Sequence, residues 1–295
     1  MSFVSRLGLA LGAVALVPAC TTTSVKPTPP ARADRPVERP PMGRFYFQGA
    51  MTQGGLLVGT APPGAVSVSL DGKSVALAPD GQFLIGFGRD AEPQALVDAV
   101  LSDGRHVRQI LQIAPRTWDI QSLPTLRRGT TPTPEFLARR KIEQERIASA
   151  RAIRSGSEGW RQRFVWPATG RISGVFGSQR IYAGEPGAPH SGVDVARPSG
   201  TPVVAPADGV VILAAEVPFT LEGNLLMIDH GMGLNSAFLH LSRIDVRVGD
   251  RVSRGQIVGA IGATGRATGP HLHWGMMWSG VRIDPQLLVG PMPLP

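Results

Sequence analysis

The chain has 295 residues, 42% hydrophobic and 18% charged, which accommodates about two globular domains with linkers. Its 36 glycines and 27 prolines favour turn-rich β structure over long helices. The net charge of +8 is uneven: ten Arg/Lys and four Glu fall between Arg127 and Arg163, a run that reads as a solvated helix face. A nucleic-acid binder is excluded, because no platform of interleaved aromatic and basic residues accompanies the charge.

Residues 1–20 carry Arg6, an apolar run from Leu7 to Val17, and then Pro18-Ala19-Cys20. This is a secretory signal, too short for a stable membrane span. A cysteine directly after a small residue resembles a bacterial lipobox. That resemblance implies lipidation of Cys20 and anchoring to a membrane, with Thr21 leaning toward the outer membrane. Ordinary cleavage after Ala19 is the alternative. Residues 21–43 are rich in Thr, Pro and Arg, and are expected to form an extended tether.

From 44 to 121, short apolar runs alternate with turn signals, as in Ala65-Val-Ser-Val-Ser-Leu-Asp-Gly72 and Ser74-Val-Ala-Leu-Ala-Pro-Asp-Gly81. The period-two pattern predicts a small β-sandwich, similar to an immunoglobulin-like module. His106 has no partner histidine here and reads as a surface or strand residue. Residues 122–159 form a linker with a basic helix. Thr133 is its capping hydroxyl, Pro134 lies in the first turn, and Phe136, Leu137, Ile142, Ile147 and Ile153 make an imperfect stripe to about Arg154. It is expected to be a loosely packed connector.

From residue 160 to 295 the expectation is a second all-β domain of antiparallel sheets. The predicted strands are Thr201–Val204, Gly209–Leu213, Leu225–Asp229, Ser236–Leu241, Gln256–Ile261 and His271–Met277. Five of the six histidines lie between 190 and 273, and that stretch contains no cysteine. Imidazole and carboxylate without thiolate suit a catalytic zinc, which takes three protein ligands and keeps one position open. His271 and His273 share one face of a strand, whereas His190 and Asp194 read as a loop running into a strand. No His-Glu-x-x-His is present to supply a glutamate base.

Several motifs occur in order over about 120 residues, from Trp166 to Pro285. They are Gly177 in Val-Phe-Gly, His190-x-x-x-Asp194, Gly200-Thr-Pro-Val-Val-Ala-Pro-Ala-Asp-Gly209 and Ile228-Asp-His-Gly231, followed by Phe238-Leu-His-Leu-Ser242, Gly249-Asp-x-Val-x-x-Gly-Gln256 and Thr268-Gly-Pro-His-Leu-His273. The set resembles the lysostaphin/LytM-type zinc endopeptidases that cut peptidoglycan peptides. The resemblance implies a barrel-sandwich-hybrid-like fold, one Zn2+ held by His190, Asp194 and His273, and catalytic His240 and His271. It implies peptidoglycan stems and cross-links as substrate, in a periplasmic, exported enzyme.

His230 reads as a structural residue at a strand end, and Asp208 and Asp284 as turn residues. Gly262-Ala-Thr-Gly-Arg-Ala-Thr-Gly269 lacks Gly-Lys-Ser/Thr and reads as loop geometry, not a phosphate loop. Arg180 and Tyr182 are candidates to line the groove. A biotinyl- or lipoyl-type carrier is excluded, because no lysine follows Lys141. A non-catalytic regulator of other wall hydrolases is the remaining alternative, and retention of the five candidate site residues argues against it.

Overall fold

The structure is a computed structural model that describes residues 43–126 and 132–293. The expected signal segment, Cys20 and nearly all of the tether lie outside the described residues. No helix among those described is long and apolar enough to cross a membrane.

The amino-terminal strands are β1 (Tyr46–Gly49), β2 (Leu56–Thr60), β3 (Ala65–Leu70), β4 (Lys73–Val75), β5 (Gln82–Gly86), β6 (Gln94–Leu101), β7 (His106–Gln112) and β8 (Ile120–Leu123). The first seven build two small antiparallel sheets, β1-β2-β5 and β4-β3-β6-β7. The β3–β4 hairpin closes on Asp71-Gly72, both in the left-handed region (φ 48 and 77°), as a two-residue turn of that sequence requires. His106 is exposed on β7, 3.0 Å from Asp98.

Helix α1 (Pro134–Ala152) starts where its sequence indicates, with the Thr133 hydroxyl accepting from the Phe136 amide at 3.2 Å. The buried face differs from the expected stripe. Leu137, Ile142 and Ile153 are exposed, while Arg140, Glu143, Ile147 and Ala150 are buried. Packing on the neighbouring sheet has overridden the apolar pattern, and paired charges occupy positions that a solvated face would leave in water.

After α1 come β9 (Arg171–Gly174), β10 (Gln179–Tyr182), β11 (Glu185–Pro186), β12 (Gly192–Ala196), β13 (Pro202–Val204), β14 (Gly209–Ala214), β15 (Asn224–Gly231) and β16 (Leu234–Leu241). They are followed by β17 (Arg243–Ile244), β18 (Arg251–Val252), β19 (Ile257–Ala260), β20 (His271–Trp278), β21 (Val281–Ile283) and the short α2 (Gln286–Val289). The main sheet runs β18-β14-β15-β16-β20-β12-β9, with β21 added on β20, and its pairs are antiparallel.

Alternation divides this sheet into two faces. Val193, Val195, Phe238, Leu272 and Trp274 enter the core. Asp194, Leu239, His271 and His273 point the other way, and α1 covers part of that face through Ile147 and Ala150 against Leu213, Leu225, Met227 and Ala237.

The expected separation into two domains is weaker in the molecule than in the sequence. Buried residues of the small sheets and of the main sheet form one continuous apolar cluster, in which Gly86 lies against Trp278 and Ile283. Strand β8 pairs in parallel with β10, across the boundary placed at 121. Asp284, read as a turn residue, does accept the Gln286 amide, and it also forms a buried ion pair with Arg116 at 2.8 Å.

His230 is fully buried at the end of β15. Its Nδ1–H donates to the Asp208 carbonyl at 2.8 Å, which leaves Nε2 to accept the Ser236 hydroxyl at 2.8 Å. Burial pushes its pKa down to about 4, against the opposing Asp208 hydrogen bond. The unfolded chain therefore takes up a proton below pH ~6.5 that the native chain refuses until about pH 4, and stability falls across that window as pH decreases. Full expression of the shift corresponds to about 3 kcal/mol. Thermal melting at pH 7, 5.5 and 4.5 is expected to show a steeper acid loss in the native chain than in His230→Gln; parallel losses would remove His230 as the cause.

Candidate metal centre

Asp194 on β12 and His273 on β20 are directly opposite in register, which brings Asp194 Oδ1 to 2.9 Å from His273 Nδ1. His190, in the loop entering β12, places Nε2 3.1 Å from the same carboxylate oxygen and 3.0 Å from His273 Nδ1. These three form the group able to hold a metal ion among the described residues.

The fit is close. A tetrahedral zinc with bonds of about 2.0–2.1 Å sets its ligand atoms about 3.3 Å apart, near the spacing of these donors. Two imidazoles and a carboxylate, without thiolate, are the donor set of an open catalytic site. The electrostatics agree. Burial works against a charged Asp194, but hydrogen bonds from His190 and His273 outweigh it and hold the carboxyl well below its usual range. Burial likewise opposes protonation of His190, yet Asp194 raises its pKa. A field that favours a proton at this point favours a cation there as well.

Backbone carbonyls fix which nitrogen faces the site. His190 Nδ1–H donates to Val175 O at 3.0 Å, His240 Nδ1–H to Thr264 O at 2.8 Å and His271 Nδ1–H to Gly269 O at 2.8 Å. Each ring is thereby held with Nε2 as the free acceptor. The 262–269 loop thus supplies the carbonyls that orient two histidines, a use consistent with the loop reading. His271 lies two residues from His273 on the same strand face, and its Nε2 is 3.9 Å from Asp194 Oδ1.

His240 reaches this cluster by a different route. Leu239 is the residue opposite His273, so regular alternation would turn His240 away. Its φ of +64° breaks the alternation and brings the ring to 4.8 Å from His271 and 6.4 Å from His273, centre to centre. The bend is held by its amide on Glu222 O at 2.9 Å. Arg140 of α1 binds both carboxylate oxygens of Glu222, at 2.7 and 3.0 Å, and Glu143 at 2.6 Å. Burial lowers the His240 pKa to about 4 and also lowers that of His273.

Sequence reasoning missed the glycines that make room. A Cβ at Gly174 would overlap the Asp194 carboxylate, and one at Gly192 would come within 2.9 Å of His273 Nε2. It also missed the buttress from the amino-terminal sheets. Arg89 donates to Gly177 O at 2.9 Å, Trp118 packs on Gly177 between Arg89 and Arg116, and the Gly177 amide bonds to His190 O at 2.9 Å. The cluster opens into a groove of about 1500 Å³, lined also by Arg180 and Tyr182.

Residues 188–285 match the model of peptidase family M23. This segment resembles an M23 peptidase domain. It is similar to the peptidoglycan DD-endopeptidase ShyA of Vibrio cholerae, 43% identical over 120 residues, which cover 40% of this chain and 27% of that protein. It is also similar to the DD-carboxypeptidase/endopeptidase Mpg of Neisseria meningitidis, 39% identical over 104 residues, covering 35% of this chain and 24% of that protein. The chain therefore spans about a quarter of the length of these curated relatives. A crystal structure from Pseudomonas aeruginosa assigned to peptidase M23 superposes with a TM-score of 0.62 at 28% identity, covering 81% of this chain and 94% of that one. That coverage extends the likeness beyond the M23 segment into the amino-terminal sheets.

Gly174→Ala is expected to weaken metal binding by about tenfold or more through displacement of Asp194, with far-ultraviolet circular dichroism unchanged. Competition with a chelator of known affinity measures it; unchanged affinity would show that Asp194 has slack.

Proposed function

We propose that this chain is a zinc-dependent endopeptidase that hydrolyses peptide cross-links of peptidoglycan. The single observation that carries the reading is the His190–Asp194–His273 group beside two further oriented histidines in an open groove. In this reading His190, Asp194 and His273 hold the metal. When bound, zinc polarises a carbonyl and brings the pKa of water toward about 7.

The chain's own groups do the rest. His240 and His271 turn Nε2 toward the cluster, with Nδ1 tied to backbone carbonyls, so each can accept a proton from water or hydrogen-bond an oxyanion without ring rotation. Burial keeps His240 neutral at pH 7, the form that accepts. Asp194 is committed to His190 and His273, which leaves the general-base role to a histidine. The groove is lined along β20 by His271, His273, Gly275, Met276 and Met277, the surface on which a peptide would lie. Similarity to proteins named peptidoglycan DD-endopeptidases supports a D-alanyl–diaminopimelate cross-link as substrate.

Export and anchoring form part of the proposal. The apolar run from Leu7 to Val17 followed by Cys20 supports an exported lipoprotein, tethered by residues 21–43 to the outer membrane and reaching the wall from there.

Digestion of purified sacculi followed by muropeptide separation tests the activity. The zinc-loaded chain is expected to convert cross-linked dimers to monomers, and a chelator to abolish this. His273→Ala is expected to lose both metal and turnover, while His240→Ala and His271→Ala keep the metal and lose turnover by a factor of about 100 or more. Intact dimers with the zinc-loaded chain would replace the peptidase reading with that of a regulator.

A further inference from the structure

Away from the metal cluster, the groove carries a feature that the peptidase reading leaves unused. Six arginines line it, from Arg140 on α1 to Arg282 on β21, against the acids Asp119, Asp194 and Glu222. Arg140 is satisfied by Glu143 and Glu222. Arg151, three turns along the same helix, is not. It has no side-chain hydrogen bond or ion pair among the described residues, and its Nε is wholly enclosed without a partner. Burial lowers its pKa, and the charge of Arg282 adds to the effect.

Register places Arg282 in this part of the groove. It pairs with Met277, which lies on the same strand face as His273 and Gly275. Asn235, paired with Met277 on the opposite side, also lines the groove, is buried, and has no side-chain hydrogen bond to the described residues. Two like charges and an amide thus converge on one face; Glu222 lies within electrostatic reach of Arg151, but among the described residues no carboxylate pairs with Arg151 or Arg282. A half-buried guanidinium whose Nε is shut off from water without an acceptor is costly, and bidentate carboxylate is the ligand its geometry matches.

We propose that Arg151, Arg282 and Asn235 form a carboxylate-binding subsite that seats an anionic peptide along β20. Met277 lies four positions beyond His273, which puts the subsite about 13 Å from the metal cluster at about 3.3 Å per residue. An extended peptide with its scissile bond at the cluster would place a carboxylate there three to four residues away. The inference rests on the peptidase reading for the nature of the peptide, and it assigns α1 a direct part in substrate selection.

Titration calorimetry on the full zinc-loaded chain tests it, with the stem tetrapeptide L-Ala-γ-D-Glu-diaminopimelyl-D-Ala and the same peptide with its carboxylates amidated as probes. The free-acid form is expected to bind at least about tenfold more tightly, the scale of one charge-assisted pair. Arg282→Gln, at an exposed strand position that the fold does not need, is expected to remove most of the difference, and Arg151→Gln the same. Equal binding of the two peptides by the native chain, or an undiminished preference in both variants, would overturn the subsite. A native chain that leaves sacculi intact yet prefers the free acid supports the subsite and refutes the peptidase reading. One that cleaves sacculi yet binds both peptides equally refutes the subsite alone.

Discussion

The pairing of Asp194 with His273 across β12 and β20 is the constraint on which the rest of the site depends. Two residues directly opposite in an antiparallel pair share a face, and their side chains meet whatever the loops do. A slip of one residue would send His271 and His273 into the core and Leu272 and Trp274 into the groove. Trp274 is fully buried, packed edge-on to Trp166 at 6.0 Å, and donates to Ser236 at 3.3 Å. The apolar core therefore sets the register, and the register presents the donor atoms. Metal geometry and core packing are two consequences of one strand alignment.

Around that rigid pair, the remaining groups are brought in by backbone that departs from the sheet. His190 comes from a loop pinned to Val175, Ser178 and Gly177, and Gly177 is in turn held by Arg89 and Trp118 of the amino-terminal part. His240 comes from a left-handed residue braced by Glu222, which Arg140 of α1 clamps. Glu222 lies within the 188–285 segment matched by the M23 family model, but the outer partners of both supports, Arg89 and Trp118 for one and Arg140 for the other, lie outside it. The amino-terminal sheets and α1 thus act on the site through the two residues that the main sheet does not position by itself. The shared core and the parallel β8–β10 pair give that influence a stiff path.

What could be read from the sequence follows the same division. The His190, Asp194, His240, His271 and His273 set was legible because order and spacing survive without coordinates, and the two-residue spacing of His271 and His273 states a shared strand face. Strand positions within the M23 segment were legible to within a residue or two, since Val/Ile runs bounded by Gly and Pro have few other solutions. His240 was identified, but not the left-handed backbone that aims it, because its neighbours Leu239 and Leu241 look like ordinary strand. Gly174 and Gly192 gave no local signal: the reason they lack a side chain lies on β12 and β20. The charge run on α1 misled for a related reason. Nothing near Arg140 in sequence reveals Glu222, 82 residues away, so a buried ion pair resembled a solvated face.

X-ray absorption at the zinc edge, with anomalous diffraction from the same zinc-loaded chain, tests the central claim most directly. The account predicts one zinc per chain with two imidazole nitrogens and one carboxylate oxygen at about 2.0–2.2 Å, and an anomalous peak between His190, Asp194 and His273. A zinc held by His240 or His271 in place of one of these three, or no bound zinc under saturating conditions, would contradict it.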